Sequence, residues 1–155
     1  MTSEITLRLA HPDDAEALAT VQNAIFCAGL RAGPVDADRM REIYLANPDT
    51  IQVTIAEQDG AVAGFQFLGL AREGNQYGVP LGWGMVGTHI RPESGRSGIG
   101  RRLFAETLRA ARRAGPAHLD ASIGADNQGG LAYYKAMGFR PYREFEGRIP
   151  HRLDL

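Results

Sequence analysis

The chain has 155 residues, of which 44% are hydrophobic and 23% charged, and a formal net charge of -1, which predicts one globular domain over residues 1–155 and excludes a disordered chain. The near-neutral charge argues against nucleic acid as a partner, and no apolar run reaches the ~20 residues that a membrane-spanning helix needs. With no signal-peptide pattern at the start and a single cysteine, Cys27, the sequence predicts a cytoplasmic protein with no disulfide and no thiolate metal site.

The first half of the chain predicts three strands and two helices. Strands are indicated where apolar and polar residues alternate, and helices where apolar residues recur every three or four positions. Pro12 can begin a helix, and Asp59-Gly60 is a strong hairpin turn. In chain order, the predicted elements are a strand at 5–9, helices at 12–25 and 36–44, and strands at 51–55 and 61–70.

The second half predicts a long amphipathic helix between two strands. In this helix the apolar residues occupy one half of the wheel and five arginines the other, which is typical of a solvated face rather than a nucleic-acid surface. Asp126 or Asn127 caps a shorter helix that ends at Gly138. The predicted elements are a loop at 72–82, a strand at 83–90, the long helix at 98–114, a strand at 119–123, the short helix, and an antiparallel pair within 141–155.

A glycine-rich segment, Arg96-Ser97-Gly98-Ile99-Gly100, joins the predicted fourth strand to the long helix. Glycines let a ligand approach the backbone closely, and the free N–H groups and the dipole of a helix start favour a bound anion. A diphosphate is the ligand that such a site suits best. The alternative is a tight strand-to-helix turn with a surface arginine. No Gly-Lys-Ser/Thr follows, so the segment is not a Walker loop.

Further residues share their order and spacing with a known family. Residues 90–92 read Ile-Arg-Pro just before the glycine-rich segment, and Asn127 is followed by Gly130, Tyr134 and Gly138-Phe139. Each motif is weak alone, but together they closely resemble the GNAT superfamily of N-acetyltransferases over nearly the whole chain.

The resemblance implies a fold, an acyl donor and a set of binding residues. The fold is α+β, a three-layer α/β/α arrangement with a mixed, mostly antiparallel sheet of six to seven strands and helices on both faces. The donor is acetyl-CoA, used as a substrate, and no metal is implied. One departure is Gly95 at the family's Gln/Arg position, with Arg96 one place later. The residues implied to contact acetyl-CoA are Thr88, His89, Ile90, Arg96, Ser97, Gly98, Ile99, Gly100, Arg101, Asn127 and Tyr134.

For catalysis, the resemblance implies that backbone N–H groups of residues 88–90 polarise the thioester carbonyl and that Tyr134 protonates the leaving thiolate. The alternative for Tyr134 is a packed residue on a short helix. The glutamate that some relatives carry as a general base falls on Gly84. Asp120 and His89 are candidate bases, and an ordered water chain is the alternative, so we expect no single essential base.

The sequence thus predicts an N-acetyltransferase that transfers the acetyl group of acetyl-CoA to a primary amine, with a small molecule as the expected acceptor. The alternatives are a protein N-terminal or lysine acetyltransferase and a non-catalytic acetyl-CoA-binding sensor domain. Tyr77, Trp83 and residues 30–35 are where an acceptor pocket is expected, unless they are only a loop anchored by buried aromatics. The resemblance also suggests a homodimer.

Overall fold

A seven-stranded mixed sheet organises the computed structural model, which describes residues 4–155; residues 1–3 of the predicted domain lie outside this range. The strands are β1 (Ile5–Leu9), β2 (Thr50–Gln58), β3 (Ala61–Leu70), β4 (Gly84–Ile90), β5 (His118–Gly124), β6 (Arg140–Pro141) and β7 (Arg148–Asp154). The helices are α1 (Ala15–Cys27), α2 (Ala37–Met40), α3 (Ile99–Ala114) and α4 (Gln128–Ala136). The second predicted helix is only one α-helical turn, because the chain continues as a π-helical turn over Arg41–Leu45.

The sheet order is β1-β2-β3-β4-β5-β7-β6. All neighbouring strands are antiparallel except β4 and β5, which are parallel. The predicted mixed, mostly antiparallel sheet is therefore confirmed, and so is the antiparallel pair near the C-terminus. The sequence did not predict that β7 would insert between β5 and β6.

The two faces of the sheet have different cores. On one face, Phe65 and Phe67 of β3 pack with buried residues of α1 such as Leu18. On the other face, Leu68 packs in a cluster that includes Phe104 of α3 and Tyr134 of α4. Because successive side chains of a strand point to opposite faces, β3 supplies both cores. This arrangement confirms the predicted α/β/α layers.

The helix ends agree closely with the sequence signals. Asn127, not Asp126, caps α4, since its Oδ1 accepts a hydrogen bond from the Gly130 amide at 2.9 Å. After α4, Gly138 adopts a positive φ of 100°, and the buried Phe139 follows it, as expected of a glycine-terminated helix. The five arginines of α3 are all exposed, as the solvated-face interpretation predicted. No helix between residues 4 and 155 is long and apolar enough to cross a membrane.

Candidate active site

The most distinctive feature of the sheet is the place where β4 and β5 separate. These parallel strands pair at only two positions, Gly84 with Leu119 and Met85 with Asp120. Beyond them β4 continues to Ile90 and β5 to Gly124 without pairing to each other. The separation leaves backbone polar groups on the facing edges of both strands, and such groups need partners.

The register between β3 and β4 shows which amides face this opening. Bonds from the Ala71 amide to the Trp83 carbonyl (2.7 Å) and from the Arg91 amide to the Ala63 carbonyl (2.8 Å) lie at the two ends of an unbroken register. Hydrogen-bonded pairs alternate in an antiparallel ladder, so the His89 backbone faces β3. The amides of Thr88 and Ile90 face the opening.

The glycine-rich segment lies beyond the end of β4 and leads into α3. Gly98 precedes the helix with a φ of 84°, and no side chain of the described residues caps the helix start. The first-turn amides, including those of Ile99 and Arg101, therefore have no intrahelical or capping partner. Ile99 is buried and offers only its backbone, whereas Arg96 and Arg101 are exposed. Ser97 donates its hydroxyl hydrogen bond to the Ser94 carbonyl.

The last glycine of the segment, Gly100, is required by packing. A Cβ atom at this position would lie 2.6 Å from Cε1 of Tyr133. The Tyr133 hydroxyl also donates a hydrogen bond to the Gly100 carbonyl at 2.7 Å. Gly98, by contrast, faces open space, and its positive φ explains the glycine there. The sequence suggested ligand approach for both glycines and did not predict the Tyr133 contact.

A partly buried hydrogen-bond chain connects this helix start to Tyr134. Tyr133 must donate to the Gly100 carbonyl, so it accepts from Nε2 of Gln66 at 3.0 Å. The same Nε2 donates to Oγ1 of Thr88 at 2.8 Å. Oγ1 of Thr88 lies 2.7 Å from the Tyr134 hydroxyl. Because Thr88 accepts a hydrogen bond from Gln66, its hydroxyl proton is free to point at the Tyr134 oxygen. The Tyr134 proton is then free to be donated to a further acceptor.

Burial keeps Tyr134 in its protonated form. The side chain is only 6% exposed, and burial raises its pKa well above the ordinary value near 10, while the Thr88 hydrogen bond acts in the opposite direction. A neutral phenol beside the β4 edge is the state that a proton donor needs. Gln66, which no sequence motif marked, supports it from β3 and is itself fully buried.

Asp120 lies where β4 and β5 separate, on the face opposite to Leu119 and the α3 core. Ser122 donates to its Oδ1 at 3.0 Å, and Tyr142 donates to its Oδ2. Arg143 is 3.9 Å from the same carboxylate. Burial nevertheless raises the pKa of Asp120, which makes this carboxylate more basic than an exposed one.

His89 lies on the α1 face of the sheet. Its Nε2 is 3.0 Å from the Tyr44 hydroxyl, and its ring packs 4.9 Å from that of Phe65. Burial, and then the charge of Arg31, lower the pKa of His89 to about 4. The imidazole is therefore neutral near pH 7, and it is a weak base because it binds a proton only at acidic pH.

The position expected for a general-base glutamate faces the core. A Cβ at Gly84 would lie 2.5 Å from Cδ2 of the buried Leu119 and 3.4 Å from Cδ1 of Leu68. A glutamate side chain would therefore enter the packed α3 face. The next residue, Met85, pairs with Asp120 across the strands.

The part of the predicted acceptor region that contains Tyr77 and Trp83 consists of aromatic contacts around the loop before β4. Trp83 packs 5.3 Å from Tyr142 and 4.6 Å from His118, measured between ring centroids. Tyr77 lies under the guanidinium of Arg148, 4.8 Å from its ring centroid. This geometry is compatible with an acceptor pocket and with a purely structural loop, because a loop anchored by aromatic residues can also line a pocket. Within residues 4–155, no three His, Cys, Asp or Glu side chains are grouped as metal ligands.

Comparison with known proteins gives one family and one fold. The sequence profile of the Acetyltransferase (GNAT) family matches residues 17–139. Among curated proteins, none has a detectably similar sequence.

Several solved structures share the fold over nearly their full length. A proposed acetyltransferase, yncA from Salmonella typhimurium, solved with its cofactor acetyl-CoA, has a TM-score of 0.78 and 21% identity, with 97% of this chain and 94% of that chain covered. A ribosomal-protein-alanine N-acetyltransferase from Brucella melitensis has a TM-score of 0.77 and 24% identity, covering 97% and 99%. The paia N-acetyltransferase from Thermoplasma acidophilum, in complex with coenzyme A, has values of 0.76 and 18%, covering 98% and 99%.

At these identities the structural likeness shows the fold alone. The family profile, however, extends over most of the chain and includes most of α1, the glycine-rich segment and Tyr134. This chain is therefore a member of the GNAT family of acetyltransferases.

Proposed function

We propose that this protein transfers the acetyl group of acetyl-CoA to the primary amine of a small molecule in the cytoplasm. The observation that carries the proposal is the opening between β4 and β5, which has free amides on one edge and the Tyr134 hydroxyl beside it. A single exposed cysteine, Cys27, is compatible with a reducing compartment.

The described residues fit an acetyl-CoA molecule along the free edge of β4 and at the helix start beyond its end. The uncapped first turn of α3, with exposed Arg96 and Arg101 nearby, suits a diphosphate. The free edge of β4 suits an extended arm that pairs with it as an added strand. Asn127 caps α4 through its Oδ1, which leaves its side-chain NH2 available to contact the donor.

The chemistry requires stabilisation of two negative charges. As the amine nitrogen attacks the thioester carbon, charge develops on the carbonyl oxygen, and the amides of Thr88 or Ile90 can donate to it. When the carbon–sulfur bond breaks, the electron pair remains on sulfur, and Tyr134 supplies the proton. The nitrogen of the adduct, which became positively charged on attack, releases its excess proton to water, so the products are an amide and free CoA. A hydrogen bond from Thr88 stabilises the tyrosinate until solvent protonates it again.

The attacking amine must first lose a proton, and no single residue is an obvious acceptor. His89 binds protons weakly because its pKa is about 4. Asp120 has a raised pKa, but both of its oxygens already accept hydrogen bonds. A relay through water that includes Asp120 accounts for both facts, and replacing one member should reduce the rate only in part.

Two measurements test the function. Calorimetry should detect acetyl-CoA binding to the wild-type protein, and binding should be lost in Gly98→Asp, which places a negative charge where the diphosphate is expected. A thiol-release assay should show CoA formation with some small amines and not with peptides. Release only with peptides would indicate a protein acetyltransferase. Binding without release for any amine or peptide would indicate a sensor domain.

A further inference from the structure

An arginine of β7 lies at the opening between β4 and β5. The bonds from the Ala125 amide to the Gly147 carbonyl (3.0 Å) and from the Leu155 amide to the Ala117 carbonyl (2.9 Å) fix the β5–β7 ladder. By alternation, the Ser122 carbonyl faces away from β7, toward the opening. Nη2 of Arg148 donates to this carbonyl at 2.7 Å. The guanidinium therefore occupies the edge that β4 leaves unpaired.

This guanidinium has no counter-charge within the part of the chain that the structure describes. Among residues 4–155, no carboxylate lies within 4.0 Å of Arg148, although the residue is only partly exposed. Its Nε is buried and without a hydrogen-bond partner, and its Nη1 makes no hydrogen bond with the described residues. A partly buried cation without an anion is unfavourable.

A second guanidinium nearby increases the excess of positive charge. Arg143 donates from Nη2 to the Tyr77 carbonyl at 2.7 Å, and its Nε is also buried without a partner. Its one carboxylate neighbour among residues 4–155, Asp120, is 3.9 Å away. A single carboxylate cannot neutralise two guanidiniums, and this one already accepts hydrogen bonds from Ser122 and Tyr142. The cluster therefore carries an excess of positive charge.

We infer that the missing anion is a carboxylate of the acceptor, so that the acceptor is an amino acid or a close analogue. The diphosphate of the donor is too distant to be this anion. When the β4–β5 register is extended by two residues, Ser122 is level with residue 87. Ile90 and the start of α3, where the diphosphate is expected, lie about 10 Å or more further along β4. An arginine fork suits a carboxylate, which it can bind through two hydrogen bonds. This inference rests on the proposed acetyl transfer.

The same cluster bears on the missing base. Positive charge close to the acceptor nitrogen favours its neutral form over the ammonium form. Arg148 would then hold the carboxylate and help the neighbouring amine to lose its proton to water. A peptide N-terminus has no α-carboxylate next to its amine, so this site favours a free amino acid over a peptide.

The test compares free amino acids with their amides in the thiol-release assay. The amide keeps the size and shape of the amino acid but removes the charge, and its amine deprotonates more easily. We expect at least one amino acid, screened over the twenty standard ones, to have a kcat/KM about 10- to 150-fold above that of its amide, the range for a charge-assisted hydrogen bond. In Arg148→Gln this preference should disappear, mainly through KM.

Arg109→Gln is the matched control. It removes one positive charge from an exposed position on α3, where Arg109 pairs with Glu106, and should leave the preference unchanged. Arg148→Lys keeps the charge but loses the two-pronged guanidinium, so it should retain part of the preference for amino acids over amides. It serves as the second variant if Arg148→Gln does not fold.

Three results would overturn the inference. The first is equal turnover of amino acids and amides by the wild-type protein. The second is an Arg148→Gln variant whose turnover of both falls equally, which would place Arg148 at the transition state instead. The third is thiol release only with amines that lack a carboxylate; in that case the acetyl transfer itself stands. If no amine of either kind releases thiol while acetyl-CoA binds, the proposed function fails and the carboxylate site with it.

Discussion

Replacing Gly100 with alanine should destabilise the protein, although alanine is normally the better helix residue. The new Cβ would lie 2.6 Å from Cε1 of Tyr133 and 3.3 Å from two more ring atoms. Tyr133 cannot move freely, because its hydroxyl donates to the Gly100 carbonyl and accepts from Gln66. Overpacking of this kind costs about 1–3 kcal/mol, and the gain in helix propensity offsets about 0.5–1 kcal/mol.

The expected net loss is thus about 1–2 kcal/mol in the free energy of unfolding, or roughly 2–8 °C in Tm for a chain of this size. Urea denaturation measures the first quantity directly. Gly129→Ala is the matched control, since Gly129 is also the second residue of a helix, and its Cβ would find its nearest neighbour 3.9 Å away. That variant should be unchanged or more stable by up to about 1 kcal/mol.

The double variant Gly100→Ala/Tyr133→Leu should lose less than the sum of its single changes, because leucine leaves room for the methyl group. If Gly100→Ala is as stable as Gly129→Ala, then Tyr133 does not explain the glycine. If it is stable but binds acetyl-CoA poorly in calorimetry, then the close approach of the ligand requires Gly100, and the packing argument is wrong.

Three further predictions concern the hydrogen-bond chain and His89. Tyr134→Phe should lower turnover about 10- to 10,000-fold, the usual contribution of a general acid, with acetyl-CoA affinity nearly unchanged in calorimetry; full activity would make Tyr134 structural. Thr88→Val leaves the Tyr134 hydroxyl and a Gln66 N–H without a partner, so the free energy of unfolding measured in urea should fall by about 1–3 kcal/mol. Thr88→Ser keeps the hydroxyl and should retain most of that free energy. Equal losses in the two variants would show that the Thr88 hydrogen bonds do not stabilise the fold. Because the pKa of His89 is about 4 when folded and about 6.5 when unfolded, the unfolded state binds the proton first as the pH falls, so up to about 3 kcal/mol of stability should be lost between pH 6.5 and 4. His89→Gln should show a correspondingly smaller decrease over that interval, and a decrease equal to that of the wild-type protein would mean that His89 is not the titrating group.

Several features were determined by the sequence because their physical causes are local. Helix caps, the hairpin turn at Asp59-Gly60 and the amphipathic pattern of α3 depend on neighbouring residues, and they were predicted close to their observed positions. The family motifs likewise lie in short segments with a fixed spacing, so the fold class could be predicted from them.

Tertiary structure decided the features that join distant segments. The contact between Gly100 and Tyr133, the support of Thr88 by Gln66, and the position of Arg148 beside Ser122 involve residues 22 to 33 positions apart. No local pattern marks such pairs, because β7 lies next to β5 only after the whole sheet has formed. The sequence therefore indicated the candidate donor-binding residues, whereas the arginines that we assign to the acceptor became visible only when strand order and register brought them to the opening.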